Sequence, residues 1–333
     1  MAAVGSTVGN LLDITRGIDP SGKALNVAML LSQKNNFLNY IPWQEANGLT
    51  GHVMAQQTSL PTVSWRTYNG FVTPSKGTVA QITEGMGMLE GYSEVDVKLA
   101  SLGGNANGYR AQQEKMFAES ITQEFAGTFL YGNTTTAPKE FNGLATRYNS
   151  LTSAIADNVV SAGGSGSDNT SIWLLAMGNE SIYGIYPKGT TAGLDYKDMG
   201  EQTITNATGV GGGKMQAYVG HWSWSCGLAV KDWRQAVRIC NIDVSNLVAD
   251  SSAADLPTLM NKAVHRLNTM EGNSPIYVMN RTAFERLDYQ CRQDVRLGGQ
   301  MSYQVVDGKP ITMWRGFPIV LSDQILETES TVS

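Results

Sequence analysis

At 333 residues the chain is longer than one hydrophobic core usually serves, so at least two packing units are expected. Charged residues make up only 16%, against roughly 25% in an average soluble domain; a surface covered by neighbouring copies accounts for the shortfall, as does a polar, loop-rich extracellular protein. The net charge of −5, with no basic run, excludes a protein that wraps nucleic acid.

Residues 1–48 carry only short apolar clusters, such as Leu25-Met29-Leu30 and Phe37-Leu38, broken by Gly17, Pro20, Gly22 and Pro42. They read as an arm that must lie on another surface to become ordered. Residues 49–98 read as a long, thin β-hairpin, with Val63-Trp65-Thr67 and Val95-Val97-Leu99 alternating at period two. Its turn-rich tip is Thr73-Pro74-Ser75-Lys76-Gly77, and Gly85, Gly87 and Gly91 are expected to loosen the returning strand. Such an excursion has no core of its own and is expected to reach a partner.

The span 99–170 centres on a helix over 109–131, free of proline, with Phe117, Ile121, Phe125 and Phe129 on one stripe. Gly132-Asn133 is expected to end it in the left-handed manner of a glycine cap. At about 1.5 Å per residue it makes a rod of roughly 35 Å, a spine for a flat domain. The Gly/Ser run Ala162 to Ser167 reads as a linker. Beyond it, 171–333 alternates strand and helix: a buried strand at 172–177, an alternating strand from Met215 through Trp222 and Trp224 to Val230, and a helix from Leu256 to Met270. That helix is capped by Asp255, has Pro257 in its first turn and is closed by Gly272. A strand at 276–279, an Asn280-capped helix through Leu287 and a hairpin at 305–310 complete an α+β reading.

No chemistry-bearing constellation emerges. Gly209-Val210-Gly211-Gly212-Gly213-Lys214-Met215 resembles a phosphate loop, but Thr208 stands where glycine is needed and Met215 where a hydroxyl must meet magnesium. Gly163-Gly164-Ser165-Gly166-Ser167 nearly spells a nucleophile elbow, which Ser167 breaks. His52, His221 and His265 lack metal-ligand spacing. Trp222 and Trp224 with His221 could stack a sugar or base, against a plainer role as core or interface anchors. Cys226, Cys240 and Cys291 are odd in number and without C-x-x-C spacing, so buried thiols are expected. No stretch approaches the roughly 18 uncharged apolar residues of a membrane span, and the opening residues lack a basic segment before an apolar core, so folding in the cytosol is expected. No catalytic, cofactor-binding or metal residue is assigned.

The order of arm, hairpin, spine helix ending Tyr131-Gly132-Asn133, phrase Phe141 to Tyr148 and β-rich unit resembles the major capsid proteins of tailed bacteriophages, with their Hong Kong 97-like fold. Trp314 to Asp323 is similar to that family's late tryptophan-glycine-proline phrase, and Gln216 to Gly220 with Gly227 to Val230 to its strand phrase. The phrases stand here in reversed order, so the connectivity of the second half is expected to be rearranged. The resemblance implies an N-terminal arm (1–48), an extended hairpin loop (49–98), a peripheral domain (99–170) and an axial domain with returning peripheral strands (171–333). It implies a non-enzymatic subunit that self-assembles through arm and loop into hexamers and pentamers of an icosahedral virion shell around double-stranded DNA, made in the host cytoplasm. Implied partners are a portal, a separate scaffolding protein, a decoration protein and packaged DNA in weak, non-specific contact. In some members a loop lysine is cross-linked, which Lys76 invites. The alternatives are a bacterial encapsulating-compartment shell protein and an α/β enzyme such as a carbohydrate-active hydrolase.

Overall fold

The computed structural model describes residues 33–101, 106–205, 213–268, 274–293, 301–306 and 309–333. A short strand β1 (Trp43–Glu45) leads into β2 (Gly51–Ser59) and the long β3 (Thr78–Asp96), followed by helices α1 (Val97–Ser101) and α2 (Ala106–Tyr131). Then come α3 (Leu144–Arg147), β4 (Val159–Ser161), β5 (Asn169–Met177), β6 (Ile182–Tyr186), β7 (Asp195–Thr205) and β8 (Lys214–Val230). The chain closes through β9 (Ala236–Asp243), α4 (Val244–Ala249), α5 (Leu256–Arg266), β10 (Ser274–Met279), α6 (Arg281–Gln293), β11 (Met301–Val306), β12 (Lys309–Trp314) and β13 (Phe317–Leu321). The first 32 residues of the expected arm, most of the phosphate-loop-like run, Gly272 and the turn Asp307-Gly308 lie outside the described residues.

The larger of two units comprises Lys34–Gly87, Ala126–Ala192 and Cys226–Ser333. Its seven-stranded sheet runs β11-β12-β13-β10-β5-β9-β4. β5 lies centrally because Ile172 to Met177 is apolar at every position, which suits a strand buried on both faces. On one face Ile172, Leu174 and Ala176 join Val237, Ile239, Met260, Val264 and Leu287 in a single core; each of these larger than alanine contributes roughly 1.5–3 kcal/mol on burial. The helices covering that face start where their caps dictate. Asp255 Oδ1 accepts the Thr258 N–H at 3.1 Å, and Asn280 Oδ1 accepts the Ala283 N–H at 2.8 Å.

Within this unit β1 pairs with β6, β6 with the Gly227–Val230 end of β8, and β2 with the Thr78–Gly85 part of β3. Residues from Asn36 onward, expected as arm, belong to its body: Phe37 is fully buried with its ring 5.4 Å from Phe129, and β1 pairs parallel with β6. The apolar cluster at Phe37 finds an intrachain surface, which the sequence pattern left open. The Gly/Ser run is likewise no free linker. Gly164 donates to the Asn241 carbonyl at 2.8 Å, and a Cβ there would sit 2.5 Å from that oxygen, so only glycine fits. Gly132 ends α2 by close approach rather than by a positive φ: a Cβ would lie 2.3 Å from the Phe141 carbonyl oxygen.

The smaller unit holds, among the described residues, Gln33, Met88–Phe125 and Gly193–Ser225. Here β7 pairs antiparallel with β8, and Gly91 of β3 lets Phe117 of α2 approach to 3.4 Å of its notional Cβ. β3 is one continuous strand through Gly85, Gly87 and Gly91, so the expected loosening does not occur. Arg110 reaches Asp198 at 2.7 Å and lies over the Tyr218 ring at 4.7 Å. Tyr196 donates to Glu114, and burial together with that bond pushes its phenol up to about 12.

Candidate functional site

The β2–β3 hairpin combines a tightly anchored base with a tip that touches almost nothing. At the base, Glu84 of β3 is 5% exposed and accepts from the two terminal guanidinium nitrogens of Arg147, at 2.6 and 2.7 Å. A bidentate pair of this kind fixes orientation as well as charge. His52 of β2 accepts the Asn47 backbone N–H at Nδ1 (3.3 Å) and meets Tyr183 Oη at Nε2 (3.0 Å). Because the backbone can only donate, the imidazole is neutral with its proton on Nε2, and Tyr183 Oη turns to Met54 Sδ at 3.3 Å. Burial holds the His52 pKa below its ordinary value, with Lys231 acting in the same direction and Glu84 against it.

Beyond Ser59 and Thr78 the ladder stops. The alternation at Val63-Trp65-Thr67 predicted a strand, but residues 60–77 pair with nothing in ladder fashion. Pro61 and Pro74 remove donors from the two limbs, which suffices to end pairing. Hydrogen bonds still shape the loop: Ser75 Oγ donates to the Thr62 carbonyl at 2.7 Å, and Gly70 N–H to the Thr67 carbonyl at 3.0 Å. Asn69, with φ 62°, occupies the position of that turn that requires a left-handed backbone. On this frame Val63 is 88%, Trp65 104%, Tyr68 101% and Phe71 100% exposed. Three aromatics bury roughly 150–250 Å² each when covered, so the tip offers close to the roughly 800 Å² that each partner gives a standard interface. A monomer seldom leaves such a patch open.

The residues weighed for catalysis go elsewhere. Trp222 meets Tyr196 at 4.5 Å and Trp224 meets Phe125 at 4.3 Å, both tilted, and His221 stacks at 4.5 Å on Tyr92, so the chain itself covers the supposed stacking platform. His265 is exposed on α5. Among the described residues no group of three His, Cys, Asp or Glu could hold a metal ion. All three cysteines are free and buried; burial pushes Cys226 up to about 12 and Cys240 and Cys291 up to about 11. No described helix is long and apolar enough to cross a membrane.

Sequence reasoning missed a deeply buried ion pair of the larger unit. Arg238 and Glu329, 91 positions apart and each 5% exposed at the side chain, meet at 2.9 Å. Ser171 and Tyr131 donate to the same carboxylate, and Arg238 also donates to the Tyr148 carbonyl. No spacing rule could find partners so far apart.

Comparison with known proteins places the chain among shell proteins. The family profile described as major capsid protein GP7 matches residues 19–333. The solved structure of bacteriophage epsilon15 superposes with a TM-score of 0.78 at 28% identity, over 100% of this chain and 99% of that one. The capsid of the native GTA particle (8% identity, TM-score 0.46, 67% of this chain and 95% of that one) and the bacteriophage JBD30 capsid (7%, 0.45, 89% and 92%) are more distant. No curated protein matches.

Proposed function

This chain belongs to the major capsid protein GP7 family, and from that premise we propose that its copies join through the aromatic tip of the β2–β3 hairpin. As a tailed-phage major capsid protein it forms the virion shell. The observation that carries the hairpin reading is the fourfold exposure of Val63, Trp65, Tyr68 and Phe71 on a loop whose shape is set by its own hydrogen bonds. A preshaped apolar tip loses little entropy on docking, and a second copy is the partner always present at assembly concentration. Many such contacts around hexamers and pentamers turn modest pairwise affinity into a closed shell.

The role is structural rather than enzymatic. A net charge of −5 suits a wall that meets packaged DNA weakly and without specificity. Assembly would take place in the host cytoplasm before the shell is filled through a portal.

Trp65→Ser combined with Phe71→Ser tests the reading. Both side chains are fully exposed, so the subunit is expected to keep its circular dichroism spectrum while shells disappear from electron micrographs and sedimentation profiles. Shells at the wild-type yield would refute the proposal.

A further inference from the structure

We propose that Asn69 is a deamidation site that retires unassembled subunits, an inference that rests on the tip being the surface that neighbours cover. The sequence holds four Asn-Gly pairs, at Asn47, Asn69, Asn107 and Asn142, the pairing in which a missing Cβ leaves the following backbone nitrogen open to attack the side chain. The structure separates them. Asn47 is clamped at both ends by Val53, its Oδ1 accepting the Val53 N–H and its Nδ2 donating to the Val53 carbonyl, each at 2.8 Å. Asn142 Oδ1 accepts from the Thr134 N–H and hydroxyl at 3.0 Å, and Gly143 N–H is committed to the Gly132 carbonyl at 2.8 Å in a buried setting. Asn107 lies within α2, whose regular backbone holds Gly108 away from the attack geometry. Asn69 is exposed at the apex of the loop, and the 3.0 Å bond from Gly70 N–H to the Thr67 carbonyl is the restraint on its nucleophile. Arg66, donating to the Gly70 carbonyl at 3.4 Å, adds a cation that favours the amide anion.

The chemistry needs only water and base. Gly70 nitrogen loses its proton to solvent base and attacks Asn69 Cγ. The N–Cγ bond forms, the Cγ–Nδ2 bond breaks, and ammonia leaves with a proton from solvent. Water then opens the succinimide at either carbonyl, leaving aspartate or isoaspartate. The tip gains a negative charge among Trp65, Tyr68 and Phe71, a charge that docking would have to strip of water. Isoaspartate also lengthens the backbone inside the turn. Subunits built into a shell are shielded; those left over lose competence irreversibly.

Full-length free subunits and assembled shells are incubated in mildly alkaline buffer, then mapped by peptide mass spectrometry with isoaspartyl methyltransferase labelling. In free subunits position 69 should convert an order of magnitude faster than Asn47, Asn107 or Asn142, and Gly70→Ala should slow it by a similar factor. Equal rates at the four sites, or no effect of Gly70→Ala, would overturn the site. Shells should be protected at 69. Conversion in shells as fast as in free subunits would leave the site standing and refute the covered tip. Asn69→Asp should cut shell yield by an order of magnitude while Asn69→Gly, neutral and at ease with positive φ, assembles normally; equal yields would overturn the retirement role.

Discussion

His52 Nδ1 is occupied by a proton that belongs to the Asn47 backbone, so a second proton on the imidazole would face a donor. Burial already lowers the folded pKa below the ordinary 6.5. The unfolded chain therefore takes up its proton first as pH falls. The stability that neutral His52 gives the hairpin base is complete above pH 6.5 and drains away as pH falls through the folded value. Protection factors at the Asn47 and Val53 amides, corrected for the intrinsic fall of exchange with pH, should drop over that window in the wild type, and His52→Gln should remove the drop. At the same scale, Glu329→Gln leaves Arg238 buried without its counter-charge. A loss of about 3–5 kcal/mol is expected, read as a lower urea midpoint. Arg238→Met with Glu329→Leu should recover only part of it, since the two charges leave together while the Ser171 hydroxyl and the Tyr148 carbonyl lose buried partners.

At the scale of elements, what was legible in the sequence is what is local. Asp255 and Asn280 cap helices three residues from the amides they satisfy, so their function is written within one turn. Asp255→Ala should cost about 1 kcal/mol in chemical denaturation. The stripe of Phe117, Ile121, Phe125 and Phe129 marked α2 because its period is that of the helix, and the apolar run from Ile172 marked a central strand. Distant partners were not legible. The alternation at Val63-Trp65-Thr67 looked like a strand because alternation cannot say whether a second strand is there to pair. Gly163 to Ser167 looked like a linker because glycine serves equally in a free chain and in a turn pressed on Asn241. Gly164→Ala separates these: in a linker it is harmless, whereas here it should destabilise the larger unit through its clash with the Asn241 carbonyl.

For the whole molecule, the low charge and the hairpin tip tell one story. A subunit of a shell-forming family has copies of itself to cover Trp65, Tyr68 and Phe71, which stand fully exposed in the lone chain. The two units interleave in sequence, with β3, α2 and β8 each contributing residues to both, which is why length and composition suggested two packing units but could not draw their bounds. The order of arm, hairpin and spine helix pointed to a capsid subunit, and the major capsid protein GP7 profile matches residues 19–333. The most direct measurement is a cryo-EM reconstruction of shells assembled from this chain. Trp65, Tyr68 and Phe71 are expected to be buried against a neighbouring copy; a closed shell in which the hairpin tip still stands in solvent would contradict the account.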